Sequence, residues 1–177
     1  RPVIKVEHVF TRDDGLRGNI VLRIIEDTES NIWLCTSEGL TLYKNDSFYY
    51  ANKAFGAGAI SVFNVVQDTM GNLWIVTAKD LLLVKTDIFV KAVMNGLPAE
   101  FLVRYNRLDG LTGQLAANAW AHVTAENTLF LPTLKGVAVC APSYYVTNKH
   151  APPVVIESIV LDDKDYDVTE ERLTVAA

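Results

Sequence analysis

The sequence predicts an all-β fold assembled from copies of a four-stranded antiparallel sheet, and two observations carry that prediction. The first is a repeat. "EDTESNIWLCTSEGL" at 26–40 and "QDTMGNLWIVTAKDL" at 67–81 say nearly the same thing 41 residues apart. The second is the texture of each copy: short apolar runs rich in branched and aromatic residues, cut by Asp, Asn, Gly and Ser, with almost no helical periodicity. A fixed period of this size marks stacked or radial arrays, because each unit needs a neighbour to cover its apolar faces.

The elements of the first copy follow in order. Residues 20–26 are a strand of branched apolar residues, and 27–31 a turn in which Asp27 accepts backbone N–H bonds. Such a turn needs a left-handed residue, which suits Gly71 in copy two and Asn127 in a third copy. Ser30 stands there in copy one and fits less well, so Asn31 is expected to take the strained conformation. Residues 32–36 are the second strand and 40–44 the third, with a turn between them. Asn45-Asp46 is a tight turn, and 47–51 the fourth strand.

Copy two repeats Asp27, Asn31, Trp33 and Thr36 as Asp68, Asn72, Trp74 and Thr77, adding Gly71 in the turn. Copy three lies 56 residues further on as "NTLFLPTLKGVAV", with Phe130 for the Trp, then Thr133, Gly136, Val137 and Val139. The extra length before it falls in 91–118. "RDDGL" at 12–16 and "RLDGL" at 107–111 each stand just ahead of a copy.

Four strands in about 41 residues is the size of one β-propeller blade. Trp33, Trp74 and Phe130 then read as rings that fill the wedge between adjacent blades. Thr36, Thr77 and Thr133 are expected to bond a neighbouring loop. Three such blades form an arc with uncovered apolar faces, which predicts self-association of the piece.

Composition narrows the function. The 177 residues are 50% apolar and 21% charged, so the chain forms a core. A net charge of −5 with scattered Lys and Arg argues against a nucleic-acid partner. No apolar run approaches a membrane span, and the chain, opening on Arg1 without a signal peptide, reads as an excised piece or mature segment. Cys35 and Cys140 sit in different copies and read as small buried hydrophobes.

The pattern Asp, two spacers, Gly-Asn, apolar, Trp, two spacers, Thr, then Gly-Leu resembles the two-component regulator propeller repeat. Copy one carries it as Asp27, Asn31, Ile32, Trp33, Thr36, Gly39 and Leu40. Copy two carries it as Asp68, Gly71, Asn72, Leu73, Trp74, Thr77 and Leu81, with Asp80 where Gly is usual. "DGLTGQLAANAW" leading to "LFLPTLKGVAVCAP" looks like a last blade, and "APPVVIESIVLDDKDYDV" at 151–168 resembles the opening of the immunoglobulin-like triple-tyrosine domain that follows it.

The resemblance implies a partial β-propeller of about three blades followed by the first strands of an immunoglobulin-like β-sandwich. Residues 1–16 would end a preceding blade, 17–58 and 59–110 would be blades (the second with an insertion), 111–148 the last blade, and 149–177 the linker and truncated immunoglobulin-like start. It further implies the periplasmic sensory part of a bacterial receptor, reading an oligosaccharide or a partner and signalling through a membrane helix to a histidine kinase or diguanylate cyclase. A propeller enzyme acting on glycans and a protein-interaction scaffold are the alternatives.

The residues themselves offer little chemistry. His8, His122 and His150 are too scattered for a metal site, and no cofactor motif appears. Asp13-Asp14 and Glu26-Asp27 sit at strand–turn junctions and read as turn caps, so no catalytic residue is expected. Trp120 differs. Its equivalents, Arg23 and Asn64, are polar, which places an aromatic where other copies face solvent or a channel. Trp120, with Tyr49, Tyr50 and Phe55 in outer-strand or loop positions, forms the candidate ligand-contact set.

Overall fold

The computed structural model describes residues 5–56, 60–111, 113–117, 119–141, 159–161 and 164–166. The chain divides into two compact units, Arg1–Ser143 and Tyr144–Ala177. In the first unit, β1 (Val21–Glu26), β2 (Ile32–Thr36), β3 (Gly39–Lys44) and β4 (Ser47–Tyr50) form an antiparallel meander. A second meander holds β5 (Val62–Gln67), β6 (Asn72–Thr77), β7 (Leu81–Lys85) and β8 (Val103–Tyr105). The third sheet has β9 (His122–Val123), β10 (Leu129–Thr133) and β11 (Gly136–Cys140). The described part of the second unit is one antiparallel hairpin, β12 (Ile159–Leu161) and β13 (Lys164–Tyr166). The immunoglobulin-like reading of 149–177 otherwise falls outside the described residues, as does His150.

Registers show how the sheets are glued. Ile25, Trp33, Leu42 and Tyr49 lie opposite one another across the first sheet, and Arg23, Cys35 and Leu40 share their face. That face meets the Val65, Ile75 and Leu82 row of the second sheet in one core cluster. The opposite face of the second sheet carries Val66, Trp74 and Leu83 in register. Trp33 and Trp74 are fully buried, as rings wedged between sheets should be. Phe130 is 38% exposed, because its face of the third sheet has no described neighbour.

The two conserved-looking polar positions of the repeat explain why the rings are indoles. Asp27 accepts from the backbone N–H of Glu29 and Asn31, from Asn31 Nδ2, and from Trp33 Nε1 at 2.9 Å. Asp68 does the same for Met70, Asn72 and Trp74. In the third copy Thr124 stands for the Asp, and the ring is Phe130, which has no N–H to satisfy.

Four expectations change. The left-handed residue of the first turn is Ser30 (φ 58), equivalent to Gly71 (φ 72) and Asn127 (φ 62), so Asn31 keeps ordinary backbone and spends its amide on Asp27. Thr36, Thr77 and Thr133 donate to the carbonyls of Gly39, Asp80 and Gly136, closing their own hairpins and not a neighbouring loop. A hydroxyl three residues before a carbonyl across a tight turn is already in reach of it.

The chain before the first sheet forms no strand among residues 5–11. It packs through Phe10 on Phe48 and Tyr43, with ring centroids 5.3 and 5.5 Å apart. Finally, the insertion starts earlier than 91–118, as the helix α1 (Thr86–Asn95) between β7 and β8. Thr86, Phe89, Val90 and Val93 are its buried stripe, and Gly96 ends it in a left-handed conformation.

A second repeated Thr, Thr28 in copy one and Thr69 in copy two, links sheets. The Thr28 backbone N–H donates to Gln67 Oε1 of the second sheet, and the Thr69 N–H and hydroxyl donate to Asn127 Oδ1 beside the third. These bonds and the packing of β5 against both β1 and β9 bring the first strand of each sheet together.

Candidate functional site

The site is built on those first strands. In both complete sheets the first strand carries a register shift immediately before the same position: between Val21 and Arg23, and between Val62 and Asn64. A bulge there re-aims the side chain that follows it. The bulges precede Arg23 and Asn64, and Trp120, just before β9, is the third equivalent.

Arg23 lies over the indole of Trp120, its guanidinium carbon 4.0 Å from the ring centroid. Trp120 remains 74% exposed. A cation on an indole face contributes roughly 0.5–2 kcal/mol, depending on desolvation. Arg23 Nε is buried with no hydrogen-bond partner, and so are both Nδ2 and Oδ1 of Asn64, itself 1% exposed. Each such orphan costs about 1–3 kcal/mol. Burial pushes the neighbouring Cys35 thiol up to about 12, with Arg23 partly opposing the shift, so Cys35 is an inert thiol.

Two cavities border Arg23. One, of about 370 Å³, is lined by Val21, Leu22, Arg23, Ile24 and Trp120. The other, of about 490 Å³, carries Glu26, Gln67 and His122 along with apolar strand residues. A larger cleft of about 750 Å³ lies between the β6–β7 turn, the "RLDGL" turn and the β10–β11 turn, where Lys79, Asp80, Arg107 and Lys135 stand among apolar groups.

The other sequence-selected aromatics lie elsewhere. Phe55 is buried, with its ring against Phe89 and Phe101 at 5.7 and 6.0 Å. Tyr49 is half-buried against the core. Tyr50 is half-buried, donates to the Gly15 carbonyl and takes Arg17 over its ring. None of the three touches Trp120. Arg23 and Asn64 were visible in the sequence only as polar residues at the place of Trp120; the bulges that set them there leave no residue-type signature.

One carboxylate of each neighbouring pair is committed to the fold. Asp14 accepts the Thr11 backbone N–H at 2.7 Å, which holds its carboxyl below the ordinary range, with His8 at 3.2 Å adding to the effect. Asp27 is spent on its turn. Among the described residues no group of three or more His, Cys, Asp or Glu is placed to hold a metal ion, and no helix is long and apolar enough to cross a membrane.

No family model and no curated protein matches the chain. Solved structures do. The extracellular domain of BT3049 from B. thetaiotaomicron, described as a hybrid two-component system, matches with a TM-score of 0.65 at 15% identity, over 96% of this chain and 22% of its own. Two structures of the extracellular domain of BT4673 from the same organism also match. One, described as a one-component system, gives a TM-score of 0.60 at 21% identity over 72% of this chain and 18% of its own. The other, described as a hybrid two-component system, gives 0.58 at 19% over 84% and 21%. The chain thus shares the fold of parts of these extracellular domains and spans about a fifth of their length.

Proposed function

We propose that this chain is part of the extracytoplasmic sensory region of a bacterial signal-transduction receptor, its three sheets being blades of a β-propeller. One observation carries the reading: nearly the whole chain superposes on a portion of the extracellular domain of a two-component system. The repeated indole wedges and the gathering of the first strands support the radial arrangement, since blades present their first strands to a common axis. The hairpin at 159–166 is read as the start of an immunoglobulin-like domain that passes the signal on, to a kinase or cyclase beyond a membrane helix. The chain itself is read as non-enzymatic, with Asp14, Asp27 and Asp68 spent on turns.

In this reading a small ligand, an oligosaccharide, is received at the Arg23–Trp120 cluster. An exposed indole offers a flat apolar face to a sugar ring, and a cavity of about 370 Å³ falls within the size range of small-molecule sites. Binding that favours one packing of the sheets would shift the receptor between two states. The test is calorimetric titration of an oligosaccharide panel against the receptor's ectodomain. One oligosaccharide is expected to bind without being cleaved, and Trp120→Ala to weaken it about tenfold or more. Turnover of a glycan would replace this reading with the enzymatic one, and failure of every glycan to bind would end it.

A further inference from the structure

We infer that the Arg23–Trp120 pair receives an acidic sugar, with a carboxylate on the guanidinium edge of Arg23 and the apolar face of the sugar ring on Trp120. This deepens the ligand-binding reading above and rests on it. A guanidinium lying on an indole directs its N–H groups outward along its own edge, the fork that matches two carboxylate oxygens. Arg23 Nε is buried without a partner. Arg23 also takes part in none of the ion pairs formed among the described residues. The pair therefore holds a cation whose counter-charge none of the ion pairs among the described residues supplies, in a chain of net charge −5.

The two cavities beside Arg23 decide where the carboxylate goes. The larger is bordered by Glu26, which repels an anion. In the smaller, Arg23 is the sole charged side chain among the described lining residues, and Val21, Leu22, Ile24 and Trp120 make up the rest. One positive group in an apolar cavity fits a ligand with one carboxylate and an apolar ring face. A neutral sugar would leave the guanidinium fork empty, and a bare carboxylate would leave the indole unused.

The experiment follows the three indole Nε1–H resonances of the ¹⁵N-labelled chain during titration with D-glucuronate, D-glucose and acetate. Trp120→Phe identifies the Trp120 signal, and the Trp33 and Trp74 signals report that the fold is intact. Glucuronate is expected to shift the Trp120 signal with an affinity about tenfold or more above that of glucose or acetate. Arg23→Gln should weaken glucuronate by about tenfold or more with the buried indoles unmoved, and Arg23→Lys, keeping charge without the fork, by several-fold.

Glucose binding as well as glucuronate overturns the acidic assignment and leaves sugar binding standing. Acetate binding as well as glucuronate removes the ring from the recognition. Glucuronate binding unaffected by Arg23→Gln places it elsewhere and overturns the site. No shift with any of the three overturns it too, while the oligosaccharide panel still tests the receptor reading independently.

Discussion

Asp27 holds four donors at once: two backbone N–H groups, the Asn31 amide and the Trp33 indole. Removing an acceptor from buried donors costs more than the bonds themselves contribute. Asp27→Ala is therefore expected to lower stability by about 3–5 kcal/mol, read from urea unfolding. The third copy supplies the control. Where the ring is Phe130, the Asp is Thr124, so Trp33→Phe combined with Asp27→Thr should cost clearly less than the sum of the single changes, by about 1–3 kcal/mol of coupling. Additive costs would show that the Asp–indole bond does not set the pairing. Cys35 gives a second residue-scale prediction. The unfolded thiol loses its proton near 9.0 and the folded one near 12. Between those values the unfolded state binds fewer protons, so stability falls as pH rises, by up to about 1.4 kcal/mol per pH unit from this group. Urea midpoints between pH 8 and 11 should show that slope reduced in Cys35→Ala. At this scale the sequence was largely readable. Asp27 announced itself by recurring, whereas the choice of Ser30 over Asn31 for the left-handed position depended on the side-chain bond that Asn31 makes, which no propensity encodes.

The helix α1 is the element that the repeat concealed. Its buried residues at 86, 89, 90 and 93 follow helical spacing, and Gly96 stands where a helix should stop. The preceding run at 81–85 is strand, however, and the two join with no intervening turn, so only Lys85-Thr86-Asp87 separates the apolar run of one period from that of the other. Tertiary structure shows what the insertion does. Phe89 is buried, with its ring 5.5 Å from Trp33, 5.7 Å from Phe55 and 6.0 Å from Phe101. The second sheet thus reaches back and closes the wedge around the indole of the first. Phe89→Ala should lower stability by about 3–5 kcal/mol in urea unfolding and move the Trp33 indole resonance, leaving that of Trp120 in place. If only Trp120 moved, the helix would belong to the site and not to the wedge. The hairpins, by contrast, were legible to within a residue, because Asn45 and Asp46, with φ of 51° and 55°, are the residues that a two-residue turn demands.

Across the whole molecule, apolar exposure gathers at the two ends of the stack. Ile24 of the first sheet is 62% exposed, while its counterpart Val65, one sheet further in, is fully buried. At the far end Val137 and Val139 are 67% and 58% exposed beside Phe130. The repeat made this legible in advance, since equivalent positions differ only in having a neighbour. The binding cluster was legible only through Trp120, because its other members are ordinary polar residues until bulges and packing gather them. A sheet that is covered inside the array and bare at its ends should find a substitute cover, and the nearest one is another copy. The expected outcome is concentration-dependent association in sedimentation velocity, with Val137→Lys/Val139→Lys shifting the distribution toward monomer and leaving the urea midpoint within about 1 kcal/mol of the parent. A single monomeric boundary at millimolar protein would mean that these valines tolerate water without a partner, and the argument from bare ends would fail even with the sheets themselves intact.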